Sequence, residues 1–532
     1  MSMEAHLCRV ILLEDFGIYT ARIGYLLILN GRLTLHDLSR FTKYSLKSVR
    51  ECLVVLVQHG IVTFTDGTDD KSEATFYEVD THRIMMRLRM GRIMRVMEEH
   101  YGKAGSAICQ LLFLYGRVKL SQVKTWAATN DTKQKDEAAY TRAFTKMAIE
   151  QFITAVLPQH SRSMYDRFLD AEEKEYEKYT IVSSAQEKKA IRESAQASVD
   201  AQFKTSERIG LKRKAEDLLE SEAKRLASEG YHEEHKRSDE LDYDVDPDMF
   251  FMVSDLATTR INRTAGIVMK TFFRSGKDKM RYVKEESSPA ASVTHIANML
   301  EPDIFTRGDI LLPADPYNPT KKPSVNQVVQ GYVDLLKSDK AGFIKTEDKL
   351  GSHQYAVNLA KLRHTMKREL LDGLVNDKFG LACCRIVRIL CDKGKLDESQ
   401  VQKYAMLPLK DVRHKLSTLL TAGIVEIQEV PRTTDRAPGR SFHLWYVSPD
   451  NCFNELLADI YKAIFNLQQR KTEELQRRAR LIDKLSREDV IANMALLNEI
   501  DKAELSKMEK VIERIEVSKT RLDEMTMILR DF

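Results

Sequence analysis

The chain has 532 residues, 43% of them hydrophobic and 30% charged. A polypeptide this long and this apolar predicts a sizeable core and three or four domains at roughly 150 residues each, which excludes wholesale disorder. A net charge of only +4 excludes a histone-like polycation, so any nucleic-acid surface must be local. The longest apolar runs, at residues 25–29, 53–57 and 111–115, are far too short to span a bilayer. The opening ten residues carry Glu4 and His6 and lack the uninterrupted apolar core of a secretory signal. The seven cysteines contain no CxxC pair, which fits reduced thiols in the cytosol or nucleus.

In chain order, the first pattern is NGRLTLHDLSRF at residues 30–41, followed by VRECLVVLVQHGIVTF at 49–64. A helix ends at Gly31, where a left-handed cap suits glycine. A short helix over 34–42 follows. Next comes a periodic helix whose Val49, Leu53, Leu56 and Val57 recur at helical spacing, with Leu53, Leu56 and Val57 expected in the core. It stops at Gly60. A β-branched strand at 61–64, a turn at Asp66-Gly67 and a second strand at 75–79 predict a hairpin. Three helices and a two-stranded wing make the winged-helix form of helix-turn-helix.

The unit recurs. A second copy reads YGRVKLSQVKTW at 115–126, then YTRAFTKMAIEQFITAV at 140–156. A third reads ASVTHIANML at 291–300, then VNQVVQGYVDLLKSDKAGFIKT at 325–346, stretched by an insert whose five prolines predict a loop. The fourth reads KGKLDESQVQKY at 393–404, then VRHKLSTLLTAGIVEI at 412–427. Gly394 and Gly423 are spaced as Gly31 and Gly60 are. The expected fold class is therefore mainly α with small β-wings. Four tandem winged-helix domains are expected at 1–80, 81–160, 247–362 and 363–448.

Residues 161–246 are rich in Glu, Lys, Ala and Ser and predict a charged linker with broken helix. Within it, Lys212, Arg213, Lys214, Lys224 and Arg225 have the spacing of a two-part nuclear import signal. The interleaved Glu216, Asp217, Glu220 and Glu222 equally suit a solvated charged helix. From 449 to 532 a C-terminal helical hairpin or coiled coil is expected. Phe453, Leu456, Leu457, Ile460, Tyr461, Ile464 and Phe465 form one apolar stripe. A helix start is read at Ser486-Arg487-Glu488-Asp489, and Met508, Ile515, Leu522 and Leu529 repeat every seven residues beyond it. The break between the two patterns favours an antiparallel pair.

Catalytic motifs are missing. There is no GxxxxGK[ST], no GxGxxG after a strand and no HExxH. Cys383, Cys384 and Cys391 cluster, but adjacent helical residues face different sides, so buried thiols are expected rather than zinc ligands. No cofactor, metal or enzymatic activity is expected. The positive signals are basic. Lys43, Lys47 and Arg50 stand at the start of the third helix of the first unit, and Lys410, Arg413 and Lys415 are placed similarly in the fourth. The wing VPRTTDRAPGRSF carries Arg432, Arg436 and Arg440 against a single Asp435. These residues suit phosphate contact, and equally a partner protein, since winged helices also serve as docking modules.

The text FGLACCRIVRIL at 379–390, AMLP at 405–408, VPRTTDRAPGRSFHLWYV at 430–447 and CLVVLVQHGIV at 52–62 resembles one family. It is that of the winged-helix subunit of nuclear DNA-directed RNA polymerase III, the large member of its dissociable heterotrimer, related to the alpha subunit of TFIIE. The order of parts is similar along essentially the whole chain. The resemblance implies a non-catalytic subunit in the nucleus. It would sit on the polymerase clamp, hold its heterotrimer partners and help open promoter DNA for synthesis of transfer RNA, 5S ribosomal RNA and other small RNAs. It also implies contact with initiation factors and with promoter DNA, single-stranded DNA included. The alternative is an interaction scaffold of the cullin or proteasome-lid kind, which also ends in winged helices. Such scaffolds place the unit after long helical repeats, which this sequence lacks.

Overall fold

A computed structural model describes residues 2–66, 74–130, 137–149, 152–156, 158–178, 185–206, 242–245, 251–276, 286–300, 325–347, 354–431, 441–487, 490 and 497–531. The described residues are mostly helical, with small antiparallel sheets. The chain divides into two compact units, one of Met1–Pro247 with Ile464–Thr520, the other of Asp248–Ala463 with Arg521–Phe532. Among the described residues, no helix is long and apolar enough to cross a membrane.

The first unit opens with helices Met3–Phe16 and Ile18–Asn30, which pack together through Leu7, Leu12, Ile23 and Leu27. Helix Leu35–Thr42 starts in a capping box: Thr34 accepts from the Asp37 N–H while the Asp37 carboxylate faces the Thr34 backbone N–H. Ser45 caps helix Leu46–Gln58 by accepting from the Ser48 N–H. Val49, Leu53 and Leu56 are buried as their spacing predicts, whereas Val57 is only half-buried. The reason is angular: at about 100° per residue Val57 falls at the edge of the stripe that Val49, Leu53 and Leu56 centre. The wing is three-stranded. Thr75–Val79 lies between Leu33–Thr34 and Val62–Asp66, with Tyr77 opposite both Leu33 and Phe64. The turn expected at Asp66-Gly67 runs beyond the described residues.

Helices Met90–Tyr115, Leu120–Asn130 and Glu137–Ile149 follow, the first broken where Gly102 takes φ +70°. Strand Ile153–Val156 pairs with Asp242–Val245, so the two strands of this ribbon lie far apart in sequence. Helices Met164–Tyr176 and Ala185–Ser206 occupy the segment between and pack through Ala171, Ala195 and Val199. The C-terminal helices Pro449–Arg477 and Glu499–Thr526 are joined across a short helix, Ala479–Leu485. Lys471 pairs with Glu516 at 2.8 Å and Lys484 with Asp501 at 2.9 Å, which is the register of an antiparallel pair. Ser486 caps the end of Ala479–Leu485; Val490 is helical, residues 488–489 and 491–496 lie outside the described residues, and the next long described helix begins at Glu499. The side-chain pattern there fits an end as well as a beginning, because serine satisfies carbonyls and amides alike.

In the second unit, Phe251–Arg260 packs on Arg263–Gly276, followed by Val293–Met299 and Val325–Ser338. Gln354–Val357 lies between Ala291–Ser292 and Ile344–Thr346, repeating the strand order of the first wing. Phe272, Tyr332, Phe343 and Leu336 fill the core, and Met527 from the chain's far end joins them. The proline-bearing insert lies outside the described residues. Helix Leu359–Phe379 leads into Leu381–Lys393, Glu398–Ala405, Leu409–Thr421 and the ribbon Glu426–Pro431 with Ser441–Tyr446. Leu396 forms a single antiparallel bridge to Trp445, at the place where Leu33 pairs with Tyr77 in the first wing.

Candidate nucleic-acid and partner interface

The backbone confirms that the first and last copies are one design. Among the described residues, only Lys43 and Met406 hold positive φ without being glycine, at +62° and +54°. Each caps the second helix of its copy, and each lies the same distance after its glycine cap, Gly31 or Gly394. A left-handed residue here reverses the chain sharply and presents the following helix outward.

In the first copy this places Lys43, Lys47 and Arg50 on the surface. Lys47 lies 4.0 Å from Glu51, with both side chains mostly in solvent, a pairing of little energetic weight. In the fourth copy Lys410 and Arg413 are also exposed, but Arg413 donates to Glu398 at 2.7 Å. Lys415 is different: it is half-buried, and its charge acts on the Cys383 thiol. Burial pushes that thiol up, with Lys415 pulling partly the other way. Arg432, Arg436 and Arg440 lie outside the described residues, as do Lys212, Arg213, Lys214, Lys224 and Arg225.

Cys383 and Cys384 are buried on helix Leu381–Lys393 and Cys391 is half-buried; burial raises all three thiols. Thiols so protonated are poor nucleophiles. Among the described residues, no group of three His, Cys, Asp or Glu could hold a metal.

Two features were not read from the sequence. The first is a clasp. Asp166 is 6% exposed and accepts from Arg32 at 2.8 Å and from Thr65 and Ser163 at 2.7 Å each. Its burial alone would raise the carboxyl, but these three donors win and hold it below the usual range. Arg32 also bridges to Glu78 at 2.8 Å, so the clasp ties the wing to helix Met164–Tyr176. Partners more than a hundred residues apart leave no local signal. The second is apolar exposure. Val54 and Val55 lie 62% and 40% exposed on the helix that carries Lys47 and Arg50. Here a signal existed: Leu53-Val54-Val55-Leu56-Val57 is apolar all round, and a single core can cover only one side.

At the base of this helix His59 packs edge-on against Phe16 at 4.7 Å, and Arg87 lies over the same ring at 4.6 Å while pairing with Asp15. Burial, with the Arg87 charge adding to it, lowers the His59 pKa to about 4. The imidazole is thus a neutral packing group rather than a cation offered to phosphate.

Repeated three-helix units with small antiparallel wings and basic residues at the third helix define a winged-helix protein of the helix-turn-helix class. Comparison narrows this. The family described as RNA polymerase III subunit RPC82 helix-turn-helix domain matches residues 6–67, and POLR3C, C-terminal winged-helix domain, matches 371–447. DNA-directed RNA polymerase III subunit RPC3 of Danio rerio is 27% identical, covering 96% of this chain and 92% of its own length. The subunit of the same name from Homo sapiens is 25% identical over 99% of this chain and 98% of its own. RPC-3 of Coccidioides immitis is 24% identical over 99% of both. The chain is thus similar to these relatives along nearly its whole length.

Proposed function

We propose that this chain is a non-catalytic, nuclear subunit of RNA polymerase III. It acts in promoter opening and initiation for transfer RNA, 5S ribosomal RNA and other small RNAs. The observation that carries this reading is colinearity: relatives of one name align along nearly the whole chain, with family domains at both ends. Four winged helices, at 1–80, 81–160, 247–362 and 363–448, stand in the chain as two pairs separated by the segment 161–246 and are followed by the helical region 449–532. Its partners are the other heterotrimer subunits, the polymerase clamp, initiation factors and promoter DNA, single-stranded DNA included. Lys43, Lys47, Arg50, Lys410, Arg413 and Lys415, together with Arg432, Arg436 and Arg440, supply the contacts. Guanidinium and ammonium groups on exposed helix starts and wings suit both phosphate and carboxylate. Affinity purification of the tagged chain followed by mass spectrometry tests the reading. Polymerase III subunits should dominate the recovered proteins; recovery of ubiquitin-pathway proteins in their place would refute it.

A further inference from the structure

The equivalent third helices of the first and fourth copies differ where they face outward. At the positions of Val54 and Val55 on helix Leu46–Gln58, helix Leu409–Thr421 carries Ser417 and Thr418. Leu46, at the start of the first of these helices, is 40% exposed, and Phe41 on the helix before it is 50% exposed. A helix that reads DNA offers donors and cations to phosphates and base edges. Two exposed valines in mid-helix offer neither, and they cost solvation unless something covers them. Lys43, Lys47 and Arg50 stand beside them, and Glu51 is the sole acid of that helix. The surface is therefore an apolar ridge with a net positive border. Its complement is apolar along one face and acidic beside it.

We infer that the outward face of helix Leu46–Gln58 docks an amphipathic, acid-flanked segment of another polymerase subunit and does not read DNA. The inference rests on the polymerase reading above and specifies which surface of the first copy meets protein. The basic border steers and orients the partner, and the valines supply the desolvated centre of the contact. By the same comparison, the fourth copy's helix carries hydroxyl-bearing Ser417 and Thr418 where the first carries the two valines.

The test uses the full chain and purified RNA polymerase III stripped of its own copy. Val54→Asp with Val55→Asp should reduce retention on the polymerase at least tenfold. The affinity of the free chain for a 30-nucleotide single strand and for the matching duplex should change less than twofold. Val54→Ser with Val55→Thr installs side chains that the fourth copy already carries on a folded helix, so its loss of retention reports docking and not misfolding. A photoreactive residue at position 54 should crosslink to a polymerase subunit within an acid-rich peptide. Full retention of both variants overturns the inference, as do crosslinks that fall in DNA, within this chain or in a second copy of it. Failure of the wild-type chain to be retained overturns the polymerase reading itself, and the docking assignment with it.

Discussion

Gly116 offers a sharp test of how the first two copies are joined. Its backbone holds φ +78° and ψ −67°, and a Cβ built there would meet the Gln58 carbonyl oxygen, with the carbonyl carbon at 2.8 Å and His59 Cα at 2.9 Å. All three atoms are backbone, so no side chain can swing aside. From the other direction, the Gln58 side chain donates to the Tyr115 and Arg117 carbonyls at 3.3 Å each. Gly116→Ala therefore carries two costs: about 1–3 kcal/mol for the strained backbone and about 1–3 kcal/mol for overpacking. Gly31 is the control. Its φ of +76° is equally unfavourable to alanine, but nothing lies within 4 Å of its built Cβ. Gly31→Ala should thus show the strain alone. Hydrogen exchange read by mass spectrometry over Leu46–Gln58 and Met90–Tyr115 should place Gly116→Ala about 1–3 kcal/mol beyond Gly31→Ala. That gap is roughly 5- to 150-fold in the local opening equilibrium, at tenfold per 1.4 kcal/mol. Equal effects of the two substitutions would refute the close approach of these backbones.

Other outcomes follow from burial and charge. Leu56 has no exposure, so Leu56→Ala should destabilise the first copy by about 2–5 kcal/mol, measured by denaturant titration monitored in that segment. Met527 is 7% exposed within the core that Phe272 and Phe343 share, so Met527→Ala should cost about 2–4 kcal/mol there, and the loss should appear as faster exchange over Val325–Ser338. Deletion of 449–532 should consequently weaken the third copy as well as removing the terminal helices, which a melt of the truncated chain would reveal. His59 has a folded pKa of about 4 against an ordinary 6.5, so the unfolded chain binds the extra proton. Its stabilising effect is complete above pH 6.5 and is lost as pH falls towards 4. His59→Gln should flatten the pH dependence of exchange in Leu46–Gln58 over that window.

The local part of this architecture was legible in the sequence. Helical spacing marked Leu53 and Leu56 as core, a glycine marked the helix end at Gly31 and its repeat at Gly394, and β-branched runs marked the wings. These signals lie within one or two helical turns, where backbone geometry alone decides which side chains share a face. Resemblance across the whole chain then carried the family. The rest depended on which distant segments meet. Asp166 binds Arg32, Asp242–Val245 completes a ribbon begun by Ile153–Val156, and Met527 enters a core built mainly from residues 253–366. Nothing in the residues near Asp166 or Met527 names their partners, because a carboxylate or a thioether fits many surroundings equally well. The interface residues show the same divide. The sequence listed the cations of the third helices, but only packing decided that Lys43, Lys47, Arg50 and Lys410 face solvent, that Arg413 is held by Glu398 and that Lys415 is half-buried. Packing likewise chose which side of the run 53–57 went to the core, and so left Val54 and Val55 outside, since one helix face is all that a single core can cover.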